Sequence, residues 1–185
     1  MLHSKFDPKI HHRRSIRLPG FDYSQAGAYF VTLVTCQREC LFGEIVNEKM
    51  ILNEFGKIAD ECWRAIPEHF PNVDLGAHAI MPNHAHGIII ITSDCVRAQH
   101  CCAPTSGIKE NPHKINVKPG SLGAIVRSYK SAVSSRINKE YNASNIWQRN
   151  YYERVIRNER EMDAIWKYIE SNPSRWAEDD ENLLV

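Results

Sequence analysis

A chain of 185 residues with 43% hydrophobic and 24% charged side chains has enough apolar material for one packed domain and is too ordinary in composition for global disorder. The formal net charge of +1 excludes a whole-chain attraction to polyanions, so any affinity for nucleic acid must come from local clusters of Lys and Arg. No apolar run reaches the ~20 residues needed to span a bilayer, and the N-terminal stretch MLHSKFDPKIHHRRSIRLPG has no hydrophobic secretory core, which predicts a cytoplasmic protein with no membrane association.

Residues 1–185 read as a single domain. Behind a basic arm (1–20) that carries Arg13 and Arg14, AYFVTLVTC (28–36) is β-branched and aromatic and reads as a strand. LFGEIVNEKMIL reads as a hairpin with Asn47 and Glu48 at its tip. Asn53 then caps a helix whose apolar residues fall at 55, 58, 59, 62, 63 and 66, and Pro67 weakens its end. VDLGAHAIMPNHAHGIIIIT gives two strands divided at Pro82 and Asn83. Residues 94–119 lack periodicity and are expected to form a mobile loop. Ser121 caps a helix to about Lys139 with one stripe of Leu122, Ile125, Val126, Tyr129, Val133 and Ile137. After the short link YNASNIWQRN, a last helix is predicted over about 150–171 with an inward stripe of Val155, Ile156, Met162, Ile165, Trp166 and Ile169, followed by an acidic tail (177–185). This order predicts an α+β fold, a ferredoxin-like antiparallel sheet with helices mainly on one face.

The six cysteines, at 36, 40, 62, 95, 101 and 102, lack finger-like ligand spacing, so reduced, buried or incidental thiols are favoured over structural zinc. His84 and His86 are a different matter. On a strand, side chains at i and i+2 share a face, so both imidazoles can reach one divalent cation, while Ala85 and Gly87 keep the surroundings small enough for a ligand to approach. Two structural histidines are the competing reading, but unsatisfied imidazoles are costly to bury. In WQRNYYERVIRNERE the helical wheel places Tyr151 near the centre of the inward stripe and Tyr152 at its edge, flanked by Arg149, Arg154 and Arg157. A tyrosine facing a cation can act as a nucleophile; the bland alternative is packing at the edge of the core. Arg127, Lys130 and Ser134 share a further face of the 121–139 helix and can meet phosphates, or can simply be solvated.

Taken together, MPNHAHGIII, VRSYKSAVSSRIN, WQRNYYERVIRNERE, YIESNP and the opening RLPGFDYSQAGAYFVTLVTCQRECLFG resemble the single-tyrosine HUH transposases, most closely the REP-associated tyrosine transposases and their relatives, over about residues 14–173. The resemblance implies that His84 and His86 hold Mg²⁺ or Mn²⁺ against the scissile phosphate. It implies that a tyrosine, Tyr151 or its rival Tyr152, attacks single-stranded or hairpin DNA to form a 5′-phosphotyrosine, releasing a 3′-hydroxyl without ATP. It also implies a third polar ligand about one helical turn beyond the tyrosine. Arg154 and Val155 stand there, leaving Asn158, Gln148 and Glu153 as candidates. The expected DNA contacts are Arg127, Lys130, Ser134, Arg149, Arg154, Arg13 and Arg14, with bases stacking on Trp147, in a monomer or homodimer. Two other classes remain open: a non-catalytic, domesticated DNA-hairpin-binding protein on the same scaffold, and a metal-dependent hydrolase of small phosphoesters.

Overall fold

The isoleucine run is apolar at every position because its strand is covered on both sides. The structure is a computed structural model that describes residues 20–93 and 118–178; Arg13, Arg14, nearly all of the expected 94–119 loop and most of the acidic tail lie outside the described residues. Strands β1 (Gly27–Val34), β4 (Val73–Ile80), β5 (His84–Ile91) and β6 (Tyr152–Ile156) form one sheet in the order β4-β5-β1-β6, with every neighbouring pair antiparallel. A separate hairpin of β2 (Gly43–Val46) and β3 (Lys49–Leu52) turns on Asn47 and Glu48, both left-handed at φ 50 and 62, as a two-residue primed turn requires. Leaving out that hairpin, strands and helices alternate in the ferredoxin-like βαββαβ order.

Helix α1 (Glu54–Arg64) begins as expected, with the Asn53 side chain accepting from the Gly56 N–H at 3.0 Å. Pro67 opens the short α2 (Ile66–His69) instead of continuing α1, having no N–H to give to the preceding turn. Helix α3 (Leu122–Tyr141) buries all six residues of its expected stripe and ends at the left-handed Asn142 (φ 53). Ser121 has the extended backbone of a cap, but its hydroxyl donates to the Lys118 carbonyl at 2.6 Å and does not cap the helix.

The predicted 150–171 helix is corrected to a strand followed by a shorter helix, α4 (Glu159–Ser171). Asn158 caps α4 by accepting from the Glu161 N–H at 2.9 Å, and the Glu161 carboxylate accepts from the Arg157 N–H at 2.9 Å, so the helix is fixed to start there. Ahead of it, Tyr152–Ile156 completes the sheet beside β1. Val155 and Ile156 therefore do not share a stripe. Val155 packs with the core under α1 and α3, and Ile156 with the core under α4.

That division runs through the whole sheet. Tyr29, Val31, Leu33, Ala85 and Ile89 face α1 and α3, while Phe30, Ile88 and Ile90 face Ile165 and Ile169 of α4. Gly87 is on the α1 side, where an added Cβ would stand 2.5 Å from Trp63 Cζ2 and 2.7 Å from His78 Cβ. Its small size serves strand–helix packing and leaves no space for a ligand, contrary to the sequence-based expectation. Gly87→Ala is expected to destabilise the fold by about 1–3 kcal/mol through overpacking, seen as a lower urea midpoint with an unchanged m-value.

Candidate metal and nucleic-acid site

His84 and His86 open β5 on the α4 side of the sheet, the face of Ile88, and each is only 1% exposed. Their rings lie 4.9 Å apart between centroids at 68°. His86 touches Phe30 of β1 at 5.9 Å and Tyr168 of α4 at 5.5 Å, and His84 faces Trp176, in the 3-10 turn after α4, at 6.1 Å. Neither ring nitrogen of His86 has a hydrogen-bond partner among the described residues. Burial, and then the neighbouring His84 and His78, hold its pKa well below the usual histidine value, so the ring is neutral with a lone pair available. A buried polar group left unsatisfied costs about 1–3 kcal/mol, and a cation at the pair would relieve that cost. His86, neutral and unpartnered among the described residues, thus fits a divalent cation in its protonation. Among the described residues no group of three or more His, Cys, Asp or Glu is placed to hold a metal ion.

The tyrosines are separated by the sheet. Tyr152 pairs with Thr32, which pairs with His86, so the three stand in one row on one face, with Tyr152 two strands from the histidine, roughly 9–10 Å by strand spacing. Tyr151 packs against the core on the α1 and α3 side. Tyr168, which the helical wheel passed over, meets His86 at a tilt and Phe30 edge-on and keeps 42% of its surface exposed. The signal for it was present in YIESNP. Tyr168 lies three residues after Ile165 and immediately before Ile169, at the margin of the buried stripe.

Of the ligand candidates, Glu153 pairs with Val31 and so turns to the α1 and α3 face. Asn158 is engaged as the α4 cap, ten residues and so about 15 Å of helix axis from Tyr168. Gln148 donates its backbone N–H at 2.9 Å to Val34, the strand partner of His84. Asn172, one turn beyond Tyr168, is a buried amide at 2% exposure that the sequence reading did not single out.

The expected DNA-contacting groups are dispersed. Arg127 and Ser134 are on α3, across the sheet from the histidines, and Arg149 is exposed in the loop before β6. Lys130 Nζ donates to the carbonyls of Gln148 and Asn150 and lies 5.9 Å over the Trp147 ring. Trp147 itself is partly buried and packs against Phe42 and Tyr129 at the margin of the core. Arg154 is on the histidine face of β6, held by Glu161 at 3.0 Å. No helix among the described residues is long and apolar enough to cross a membrane.

The architecture aligns with a solved structure of a REP-associated tyrosine transposase bound to a REP hairpin, at a TM-score of 0.58 and 16% identity, over 89% of this chain and 74% of that one. The chain thus shares the α+β fold of that transposase. A Haemophilus influenzae protein carrying the name "Uncharacterized protein" is 41% identical over 177 residues, 95% of this chain and 96% of that one, and the chain belongs to one family with it. No family model matches the sequence.

Burial lowers the Lys130 pKa to about 8. The folded state therefore binds fewer protons than the unfolded chain between about pH 8 and 10.5, and the penalty for burying this ammonium is fully present below pH 8 and relieved as pH rises. Relative to Lys130→Met, the native protein is expected to gain about 1–2 kcal/mol between pH 8 and 10, the figure being discounted for partial exposure. Paired urea titrations at the two pH values measure it.

Proposed function

We propose that the chain is a metal-dependent single-tyrosine DNA strand transferase for hairpin-forming single strands, with Tyr168 as its nucleophile. The observation that carries this is the Tyr168 ring 5.5 Å from His86, whose two ring nitrogens are buried and unpartnered among the described residues. His84 and His86 would hold Mg²⁺ or Mn²⁺. The side chain of Asn172 is proposed as a third donor, because residues four before and four after it, Tyr168 and Trp176, meet the two imidazoles. A bound cation would neutralise non-bridging phosphate oxygens and lower the cost of charge at phosphorus.

The work of this chain's own residues follows from their placement. Tyr168 Oη loses its proton and forms a bond to phosphorus as the P–O3′ bond breaks; the 3′-oxygen takes up a proton, and the 5′-phosphate remains on the tyrosine. The phosphotyrosine conserves the bond energy for rejoining, so no nucleotide cofactor is consumed. Phe30, Trp176 and α4 cover the histidines and exclude water from the inner side, while the exposed side of Tyr168 stays open to a strand. Arg154 shares the histidine face of β6 and Arg149 is exposed in the loop before it, and both would meet flanking phosphates, with Tyr152 beside them as a surface for a base.

Two other readings have specific support. Tyr152 shares the row of His86 and is 44% exposed, which keeps it as a rival nucleophile. The neutral amide of Asn172, a weaker donor than an imidazole or a carboxylate, supports a hairpin-binding protein that does not cut. A single-stranded hairpin labelled at its 3′ end, incubated with the protein and Mn²⁺, separates the three. Tyr168→Phe is expected to abolish the denaturant-stable labelled adduct while hairpin binding stays within about threefold, and Tyr152→Phe to keep the adduct. The opposite pattern moves the nucleophile to Tyr152, and bound hairpin with no adduct from the native protein makes it a binder only.

A further inference from the structure

We propose that Asn83 is a positioning residue that locks His84 in the Nδ1–H tautomer and so leaves Nε2 as its metal-binding nitrogen; this deepens the function proposed above and rests on it for the metal. The inference follows from one acceptor-only group. Asn83 is wholly buried, and its side-chain nitrogen is 3.3 Å from the backbone carbonyl oxygen of Arg38. A carbonyl oxygen can only accept, so the amide nitrogen must be the end facing Arg38, and Oδ1 is the end facing His84 Nδ1 at 3.0 Å. Oδ1 can also only accept. The proton of a neutral His84 ring therefore belongs on Nδ1, and the lone pair on Nε2.

The surrounding backbone is built to keep Asn83 in this pose. Its main-chain oxygen accepts from the Thr35 N–H at 2.9 Å, and the Thr35 hydroxyl lies 2.9 Å from the same oxygen and 2.7 Å from the Glu39 oxygen. Pro82, beside it, accepts from the Phe42 N–H at 3.0 Å, and Met81 closes the turn by donating to the His84 carbonyl at 2.8 Å. The Arg38 carbonyl reaches Asn83 because Gln37 and Arg38 both adopt left-handed backbone, at φ 56 and 59, which non-glycine residues rarely do. Two uncommon conformations in succession thus present one acceptor to one amide, and the amide sets one histidine tautomer.

The test begins on the metal-free full-length protein at pH 7.5, using long-range ¹H–¹⁵N NMR of the histidine rings. His84 is expected to carry its proton on Nδ1 in the native protein and in Asn83→Asp, which keeps the acceptor, and to show a population with the proton on Nε2 in Asn83→Ala. Titration with Mn²⁺ alone is expected to show about 10–100-fold weaker binding for Asn83→Ala, recovered in Asn83→Asp to within about threefold of native. A proton on Nε2 in the native ring overturns the proposal without needing any variant to fold. Equal Mn²⁺ affinity in native protein and Asn83→Ala overturns it as well, since a purely structural asparagine would alter melting but not tautomer or metal affinity. If the tautomers follow expectation while native protein binds no Mn²⁺, the lock stands and the metal-dependent function falls.

Discussion

Burial of β5 on both faces is the constraint from which the site follows. A strand buried on one side could leave His84 and His86 in water, where their ring nitrogens would be solvated and no second element would be needed near them. Here Ile89 is packed under α1 and α3, and Ile88 under α4, so the face that carries the histidines must also be roofed. The roof brings Tyr168 and Trp176 to the two rings and removes the water that would otherwise satisfy His86. An imidazole desolvated in this way is neutral and has a lone pair to give. The same packing that stabilises the sheet thus creates a local deficit of about 1–3 kcal/mol at His86, a pattern found where a ligand completes the site.

The opposite face has a different task. The α3 stripe is buried along its whole length, and Arg136 ties α3 to α1 through Glu61 at 2.8 Å. Lys130, half-buried, fastens the loop that leads to β6 by its carbonyls, which places its ammonium in the service of the fold first. Any contribution of α3 to DNA affinity falls to exposed groups such as Arg127, at long range from the histidines. Basic side chains on a regular helix face are a weak guide to a binding surface for this reason: charge pattern does not reveal which heads are already engaged.

Much of the fold was legible because its periods are unambiguous. Asn53, the six-residue stripe of α3, the Asn47–Glu48 turn and the division at Pro82 and Asn83 are all local signals, and each appears where the residues indicated. The strand β6 was not legible. Five residues are too few to separate a period of two from a period of 3.6, and Val155-Ile156 followed by Met162 and Ile165 satisfies a helical wheel by accident. That error of phase carried into the site, since a wheel begun at 150 centres on Tyr151 and leaves Tyr168 unremarked. The pairing of β6 with β1, which settles the matter, is a contact over more than a hundred residues and has no local signature. The histidine pair was legible as an i, i+2 motif, whereas Asn83 looked only like a turn residue, its partners being distant backbone atoms.

Once the start of α4 is fixed, the position of Tyr168 is a matter of length. The chain leaves the sheet at Ile156, turns at Arg157, and is capped by Asn158, so α4 must run back over the face it has just left. Five strand residues cover about 17 Å and thirteen helical residues about 20 Å, so the helix returns to the level of Tyr152, its row partner Thr32, and His86 as it ends. Tyr168 and Asn172 occupy that final turn and its exit, and the 3-10 turn from Pro173 carries Trp176 on to His84. The mouth of β5, the end of β1, the start of β6 and the end of α4 therefore meet at one end of the sheet because a strand and a helix of matched length are joined by a tight, doubly capped turn. The capping pair Asn158 and Glu161, far from the histidines along α4, sets where the tyrosine stands.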